Sequence, residues 1–321
     1  MCPLRPGMAR LSTIRPITAR KSVLRCPACK KLLEQSRGGY VCRACSIVFP
    51  IIDGIPALVD HTSIPQNFDA SAFEFLFNME QKHFWHIGRK EMILDVLRRN
   101  IPKLTKSRML EVGCGNGSIL AFLRQNGINI EGGDIFLEGL AFCRQRASSI
   151  ALYQIDALSL PFHNDYEIVG IFDVLEHIEN DDKALAEINR ALKAGGNLIL
   201  TVPAHKFLWS RHDEASHHKR RYSKMELIAK LERYGFVVNK ATYYMFFLFP
   251  VLAAMRLLTK IFRNKKYEKD YIKTSLELKT IPVINNVFLA SLRLEKYLIR
   301  YLNLPFGASL LILAAKKDEK R

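Results

Sequence analysis

The sequence lacks the features that mark membrane-spanning, exported or unfolded chains. Its longest apolar stretch, residues 243–255, has thirteen residues, whereas a membrane-spanning helix needs about 20. Because no apolar segment of secretory type appears near the start, we expect an intracellular, cytoplasmic protein. Hydrophobic residues make up 49% of the chain and charged residues 25%, which excludes wholesale disorder, collagen and coiled coils. A chain of 321 residues suggests about two domains.

Acidic residues are absent from the first 31 positions, which carry eight basic ones. Arginine recurs every five residues from Arg5 to Arg25, a spacing that matches neither a helix nor a strand. We therefore predict a flexible basic arm over residues 1–22, with an organellar targeting peptide as the alternative. Over the whole chain, 48 basic and 31 acidic residues give a net charge of +17, which favours an anionic partner such as nucleic acid or a membrane surface.

Cysteine is scarce, but four of the seven cysteines form two C-x2-C pairs separated by twelve residues. Four thiolates at this spacing fit a tetrahedral, structural Zn²⁺ site and leave no open position for catalysis. A ribbon over residues 23–60 is too small to build its own core, so the metal should supply much of its folding free energy. The segments CPAC and CRAC, followed by FPIIDGIPAL, resemble the zinc ribbon of an activator subunit of tRNA methyltransferases. The candidate zinc ligands are Cys26, Cys29, Cys42 and Cys45.

A linker over residues 61–72 leads to a main domain over residues 73–242, whose central motif is a short apolar strand running into three glycines. Glycine at a strand-to-helix turn lets the backbone approach a ligand closely. Ser118 stands where the dinucleotide fingerprint needs its third glycine, and no Walker pattern is present, so neither a dinucleotide nor a triphosphate site is predicted. Ser118 is predicted to cap the following helix, and Cys114 is interpreted as a small packing residue.

The motif E-x-G-x-G-x-G resembles the first motif of class I S-adenosylmethionine-dependent methyltransferases. The resemblance implies S-adenosylmethionine as cofactor and a Rossmann-like, seven-stranded α/β sheet with helices on both faces. An alternation of five apolar strands with helices agrees with a parallel sheet, and acids at strand ends meet at its ligand-binding edge. By resemblance, Asp134 accepts both ribose hydroxyls and Asp156 with Ala157 contacts the adenine. The candidate cofactor-binding residues are Glu111, Gly113, Gly115, Gly117, Asp134, Ile135, Asp156, Ala157 and Asp173.

The segment after the fifth strand, residues 203–222, is the densest polar cluster in the chain. Together, His212-Asp213-Glu214, His218 and Arg221-Tyr222 resemble a signature of methyltransferases related to quinone-biosynthesis O-methyltransferases. Transfer to a hydroxyl needs a base, and the pKa of histidine suits that role. His218 is the first candidate and His177 the second, with Asp213 orienting either imidazole. Metal binding by this segment is disfavoured because it has no H-E-x-x-H pairing.

The same segment ends in two arginines and a tyrosine, at positions 220 to 222. Arg220 or Arg221 could hold an anionic part of the acceptor. The alternative is that these residues, with Tyr222, anchor the segment and begin the following helix.

The composition of residues 243–306 predicts an apolar and basic helical insertion. Residues 307–321 are predicted to form a last strand and the carboxyl-terminal tail. From Pro250 onward, apolar and basic residues fall on opposite faces of a helix. One interpretation is packing on the sheet. The other is a lid that docks on the inner, anionic face of a membrane, with the protein peripheral there.

The leading functional hypothesis is O-methylation of a lipid-like, quinone-precursor or lipid-linked saccharide acceptor. An RNA methyltransferase that binds nucleic acid through the arm and ribbon is the alternative. The segment after strand four, Asp173-Val-Leu-Glu, lacks the N/D-P-P-aromatic motif of many amine methylases, which weighs against RNA. A non-catalytic partner or activator subunit is the third hypothesis.

Overall fold

The computed structural model describes residues 23–60, 62, 64–65, 70–261 and 280–318. The predicted basic arm, residues 1–22, lies outside the described residues. So do half of the predicted linker (residues 61, 63 and 66–69) and residues 262–279 of the predicted helical insertion. In chain order, the strands are β1 (Glu34–Ser36), β2 (Gly39–Val41), β3 (Val48–Ile52), β4 (Ile55–Leu58), β5 (Arg108–Val112), β6 (Asn129–Asp134), β7 (Leu152–Ile155), β8 (Tyr166–Phe172), β9 (Leu192–Pro203), β10 (Phe236–Tyr244) and β11 (Ser309–Lys316).

Nine helices accompany these strands within the described ranges, together with short 3₁₀ turns. The α-helices are α1 (Ala70–Met79), α2 (Phe84–Asn100), α3 (Ser118–Gln125), α4 (Leu137–Arg146), α5 (Asp181–Ala191), α6 (Arg211–Ala215), α7 (Lys224–Arg233), α8 (Phe249–Ile261) and α9 (Pro282–Ile299). Among the helices described, none is both long enough and apolar enough to cross a membrane.

All eleven of these strands belong to one sheet, in the order β1-β2-β3-β4-β7-β6-β5-β8-β9-β11-β10. Strands β7, β6, β5, β8 and β9 run parallel, and β11 lies antiparallel between β9 and β10. These seven strands form the Rossmann-like sheet that the sequence predicts. The strand order reverses between β5 and β8, which is where a sheet of this kind binds its ligand.

The central strands are continuous apolar runs because helices cover both of their faces. Met109 and Leu110 of β5, Ile168 and Val169 of β8 and Leu200 of β9 are fully buried. This core fixes the carboxyl ends of the strands, where the polar residues of the site begin.

The ribbon extends the sheet at the edge of β7. Strand β4 pairs in parallel with β7, with Leu58 opposite Ile155. Lys30 Nζ donates to Glu187 of α5 at 2.8 Å and to Ser159 Oγ at 2.9 Å. The ribbon therefore covers an edge that would otherwise expose unpaired backbone groups.

Three local expectations need correction. Gly117, with φ of 71°, is the N-cap of α3, and Ser118 is its first helical residue, so the predicted Ser118 cap is wrong. Strand β10 continues to Tyr244, inside the stretch predicted as a helical insertion, because residues 243 and 244 pair with β11. Helix α1 begins at Ala70, within the predicted linker.

Helices α8 and α9 form the predicted carboxyl-terminal helical insertion, and α9 packs closely on α2. A Cβ on Gly88 would lie 2.6 Å from Leu292 Cδ1, so glycine is what allows the two helices to approach. Ion pairs flank this contact: Arg293 Nη2 lies 2.7 Å from Glu91, and Arg300 Nη2 lies 2.7 Å from Asp95. Helix α9 is thereby held over one side of the cavity described next.

Candidate functional site

A cavity of about 2070 Å³ opens at the carboxyl ends of the parallel strands. Strand ends supply one wall, and α1, the segment 209–221 and parts of α8 and α9 supply the others. Every predicted cofactor-binding residue lines this cavity except Gly117. The strand-end residues in its wall are Val112, Asp134, Ile155, Phe172 and Pro203.

The three glycines of the central motif all have positive φ but meet different surroundings. A Cβ on Gly113 would lie 2.4 Å from Val174, and one on Gly117 would lie 2.3 Å from Cys143 Sγ. Only at Gly115, with φ of 49°, would a Cβ meet no protein atom within 4 Å. Gly115 is therefore where the loop leaves room for a ligand, whereas Gly117 serves the packing of the turn against α4.

Strands β5 and β6 each place one buried acid in the cavity wall, Glu111 and Asp134 respectively. Asp134 accepts hydrogen bonds from the backbone N–H of Gly115 at 2.7 Å and of Phe136 at 2.9 Å. Glu111 is buried, and its Oε2 has no hydrogen-bond partner among the described residues. Burial raises the pKa of both carboxyl groups, most strongly that of Glu111. Glu111 thus offers an unused acceptor to a donor group in the cavity.

Two further strands bring Asp156 and Asp173 to the same edge. Asp156 accepts from the backbone N–H of Leu158 at 2.8 Å. Asp173 has φ of 53° and accepts from Thr201 Oγ1 at 2.7 Å and from the guanidinium of Arg89. Arg89 in turn lies 4.1 Å from the ring of Trp85. The charge of Asp173 is therefore balanced by Arg89.

Asp213 links His218 to its own segment through hydrogen bonds. Its Oδ1 lies 2.8 Å from His218 Nδ1 and accepts from Arg221 Nε at 2.7 Å, while its Oδ2 accepts from the backbone N–H of Ser210 at 2.8 Å. Although burial opposes the shift, His218 and Arg221 hold the pKa of Asp213 below its usual range. Asp213 therefore faces His218 as a carboxylate that fixes the ring.

The proposal that an arginine of this segment holds the acceptor fails for Arg221. Its side chain is buried and bonds to Asp213 and to the carbonyl of Ala204 at 3.0 Å. Arg220 pairs with Asp181 at 3.0 Å, and Tyr222 Oη donates to Asp181 at 2.7 Å. These residues anchor the segment, as the alternative interpretation of the sequence has it.

His177 lies beside His218, with their ring centroids 4.7 Å apart. Loss of hydration and the neighbouring His218 lower the pKa of His177 to about 3, so its ring is neutral near pH 7. Glu176, which the sequence analysis did not select, is fully buried, and both of its carboxylate oxygens lack a hydrogen-bond partner among the described residues. Both residues line the cavity.

Of the remaining histidines of the segment, two line the cavity and one does not. His212 and His217 line the cavity. His205 instead stacks on Tyr243, with ring centroids 5.0 Å apart and planes 6° from parallel.

The part of the cavity lining that comes from α8, α9 and their approaches is apolar and continues onto the surface. Val251 lines the cavity and is 62% exposed. On α9, Ile284 also lines the cavity, and its neighbours Val283 and Val287 are 74% and 61% exposed. The apolar residues that line this wall from α8, α9 and their approaches are Met245, Leu248, Val251, Leu252, Met255, Ile281, Ile284 and Phe288.

The four cysteines of the ribbon converge at one point. Cys26 Sγ lies 3.5 Å from Cys45 Sγ, and Cys29 Sγ lies 3.4 Å from Cys42 Sγ and 3.7 Å from Cys45 Sγ. Sulfur atoms bonded to one tetrahedral Zn²⁺ lie about 3.8 Å apart. The donor set and its spacing fit a four-thiolate zinc site.

Comparisons with known proteins agree with this architecture. Residues 110–200 match a family described as methyltransferase domain, and residues 22–54 match one described as Trm112p-like protein. An uncharacterised protein of Methanocaldococcus jannaschii is 31% identical, over 46% of this chain and 72% of that protein. The ubiquinone/menaquinone biosynthesis C-methyltransferase of Methylococcus capsulatus is 36% identical, over 35% of this chain and 54% of that enzyme.

One solved structure shares the fold at 18% sequence identity. It is a complex between the Trm112 methyltransferase activator of Haloferax volcanii and a methyltransferase, matched with a TM-score of 0.52 over 81% of this chain and 100% of that chain. With its glycine loop, strand-end acids and matching family, the chain belongs to the class I S-adenosylmethionine-dependent methyltransferases. Its amino-terminal ribbon is similar to Trm112p-like proteins.

Proposed function

We propose that this methyltransferase methylates an oxygen atom of a hydrophobic, lipid-like acceptor, such as a quinone precursor or a lipid-linked saccharide. The observation that carries the proposal is the apolar wall that α8, α9 and their approaches give to the cavity, which His218 and His177 also line and part of which is exposed. A wall of this kind binds the apolar part of a ligand while a few polar groups fix its orientation. The similarity to a quinone-biosynthesis methyltransferase supports the same class of acceptor.

For the cofactor, we assign S-adenosylmethionine to the strand-end side of the cavity. Gly115 leaves the space that the cofactor needs, and Asp134 would accept the ribose hydroxyls. Asp156 and Ala157 would contact the adenine, and Glu111 has the free acceptor to bind the ammonium group of the cofactor. The bound cofactor supplies an electrophilic methyl group on its sulfonium sulfur.

We assign activation of the acceptor hydroxyl to His218. Asp213 accepts a hydrogen bond from the Nδ1–H group of His218. The imidazole therefore keeps its lone pair on Nε2, the atom that can remove a proton. His218 would take the hydroxyl proton on Nε2 while the bound cofactor would supply the methyl group, which moves from sulfur to the acceptor oxygen. His177 is the second candidate for this role because it lines the same cavity, with its ring beside that of His218.

The exposed apolar surface beside the cavity supports peripheral attachment to an anionic membrane. Val283 and Val287 extend out from α9 next to cavity-lining Ile284. Burying such side chains in a lipid interface is favourable, and the net charge of +17 adds attraction to anionic lipids. A lipid-linked acceptor would then reach the cavity from the membrane.

We propose Zn²⁺ as the structural metal of the ribbon, bound by Cys26, Cys29, Cys42 and Cys45. The sulfur spacing supports this assignment, and the ion would stabilise a unit too small to fold through its own core.

The second candidate function is methylation of RNA. It is supported by the similarity of the ribbon to Trm112p-like proteins and by the high positive charge.

Sedimentation with lipid vesicles separates the lipid and RNA candidates. The lipid proposal predicts that vesicles of phosphatidylglycerol pull down the protein and that Val283→Asp with Val287→Asp weakens this at least about tenfold. Met225→Asp, at an exposed position on α7, is the matched control. Tight, salt-sensitive RNA binding without vesicle binding would favour RNA instead.

Transfer from labelled S-adenosylmethionine to a prenylated catechol tests the assignment of His218. We expect His218→Ala to lower turnover by about 10²- to 10⁴-fold and Asp213→Asn to lower it as well, while cofactor affinity stays within about twofold. His163→Ala, at an exposed position outside the cavity wall, should leave both unchanged. Full turnover in His218→Ala would refute the assignment.

A further inference from the structure

We propose that Glu176, His177 and His218 form a binding site for a divalent cation at the acceptor side of the cavity. One ligand atom from each of the three residues lies within 4.8 Å of the other two. Ligand atoms bonded to one ion at about 2.1 Å lie roughly 3.0 to 4.2 Å apart, so small side-chain rotations would close the site. The inference rests on the proposed function, because it gives the ion a role in activating the acceptor.

Glu176 is the residue that distinguishes this cluster from two neighbouring histidines. Its side chain is fully buried, and neither carboxylate oxygen has a hydrogen-bond partner in the described part of the chain. A buried carboxylate without a partner is costly. The neighbouring acids are satisfied, since Asp173 bonds to Arg89 and Asp213 bonds to Arg221. A cation between Glu176 and the two imidazoles would satisfy the remaining acid.

Asp213 gives His218 the geometry that metal-binding histidines have in proteins. Such histidines usually donate their other ring N–H to a carboxylate, which fixes the tautomer and the ring. Asp213 Oδ1 lies 2.8 Å from His218 Nδ1, so Nε2 is the atom that remains for an ion. The 3₁₀ turn Leu175–His177 supplies the other two ligands from the far side.

Two imidazoles and one carboxylate suit a first-row divalent ion such as Mn²⁺, Fe²⁺ or Zn²⁺. Three protein ligands leave coordination positions open, as catalytic sites do. An acceptor hydroxyl bound there loses its proton more easily. With the ion bound, His218 would act as a ligand in place of the base role assigned above, so the hydroxyl proton would pass to water while the methyl group leaves the cofactor sulfur for the acceptor oxygen.

Manganese titration of the full, zinc-loaded chain, followed by the electron paramagnetic resonance signal of free Mn²⁺, tests the site. We expect one Mn²⁺ per chain, and we expect Glu176→Gln and His218→Gln each to weaken binding more than tenfold. Asp213→Asn should weaken it by about 10- to 100-fold. His212→Gln, which replaces a cavity-lining histidine outside the cluster, is the matched control and should bind Mn²⁺ as the unaltered chain does.

Thermal unfolding gives a second readout. Mn²⁺ should raise the melting temperature of the unaltered chain but not that of Glu176→Gln. Absence of Mn²⁺ binding to the unaltered chain, or equal binding by Glu176→Gln, would overturn the inference. Calorimetry with S-adenosylmethionine on the same samples keeps the two proposals apart, because cofactor binding without Mn²⁺ binding would reject the ion and leave the methyltransferase function intact.

Discussion

At the scale of single residues, the glycine loop separates positions that serve a ligand from positions that serve packing. Gly115 and Gly117 both have positive φ, but only the surroundings of Gly115 are open. The same residue type two positions apart therefore has two different physical reasons to be there.

Substitution by alanine should separate these two roles. Gly117→Ala places a Cβ 2.3 Å from Cys143 Sγ and should lower the free energy of unfolding by about 2 to 4 kcal/mol, through overpacking and the left-handed backbone. Gly115→Ala should cost about 1 to 2 kcal/mol but weaken cofactor binding by at least tenfold. Urea denaturation and calorimetry measure the two effects. Equal stability losses together with equal affinities would contradict the assignment.

The sequence predicts the contacts and burial of individual side chains least well. Residue chemistry predicted that Asp213 orients either His218 or His177, and the structure places Asp213 Oδ1 2.8 Å from His218 Nδ1. Whether Arg221 binds the acceptor or anchors the segment stayed open, because a sequence does not reveal that its guanidinium is buried against Asp213. Glu176 was passed over because its distinguishing feature, a buried carboxylate without a partner, exists only after folding.

At the scale of elements, α9 depends on α2 for its position over the cavity. Leu292 packs on Gly88, and Glu91 accepts from Arg293 at 2.7 Å and from Lys296 at 2.9 Å. Although burial opposes the shift, these two cations lower the pKa of Glu91.

Acid should weaken this contact. A carboxyl group whose folded-state pKa is depressed stabilises the fold above its unfolded pKa of about 4.3, and that stability is lost as the pH falls through the folded pKa. We expect Glu91→Gln to cost about 0.5 to 1 kcal/mol at pH 7 and progressively less below about pH 4. Urea denaturation across this pH range measures the difference, with Glu74→Gln, exposed on α1, as the control. A cost independent of pH would contradict the prediction.

The sequence predicts the central elements more closely than the peripheral ones. Strands β5 to β9 and the helices between them carry strong apolar patterns, because both sheet faces are buried. The last two residues of strand β10 were predicted as part of the helical insertion, because Tyr243 and Tyr244 begin an unbroken apolar run in which a strand and a helix have the same composition.

At the scale of the whole molecule, the ribbon and the methyltransferase sheet form one continuous structure. The cysteine spacing and the glycine motif predicted the two units separately. Their contact through β4 and β7 could not be predicted, because backbone pairing at a sheet edge leaves little mark on the sequence. Asp156 directly follows β7, so the ribbon supports a strand whose end lines the cavity.

Loss of the zinc site should therefore weaken cofactor binding at a distance. Cys45→Ser removes one of the four thiolates, and we expect the ribbon to lose protection from hydrogen exchange and cofactor affinity to fall about tenfold, or about 1.4 kcal/mol. Ser36→Ala, at an exposed position of β1 in the same ribbon, is the control. An unfolded ribbon with unchanged cofactor affinity would show that the two units are independent.

Calorimetry on the zinc-loaded chain tests whether the cavity at the strand ends binds S-adenosylmethionine. We expect one S-adenosylmethionine per chain with micromolar affinity, weakened at least tenfold by Asp134→Ala, and no binding of NAD. Absence of S-adenosylmethionine binding, or binding that Asp134→Ala leaves unchanged, would contradict this expectation.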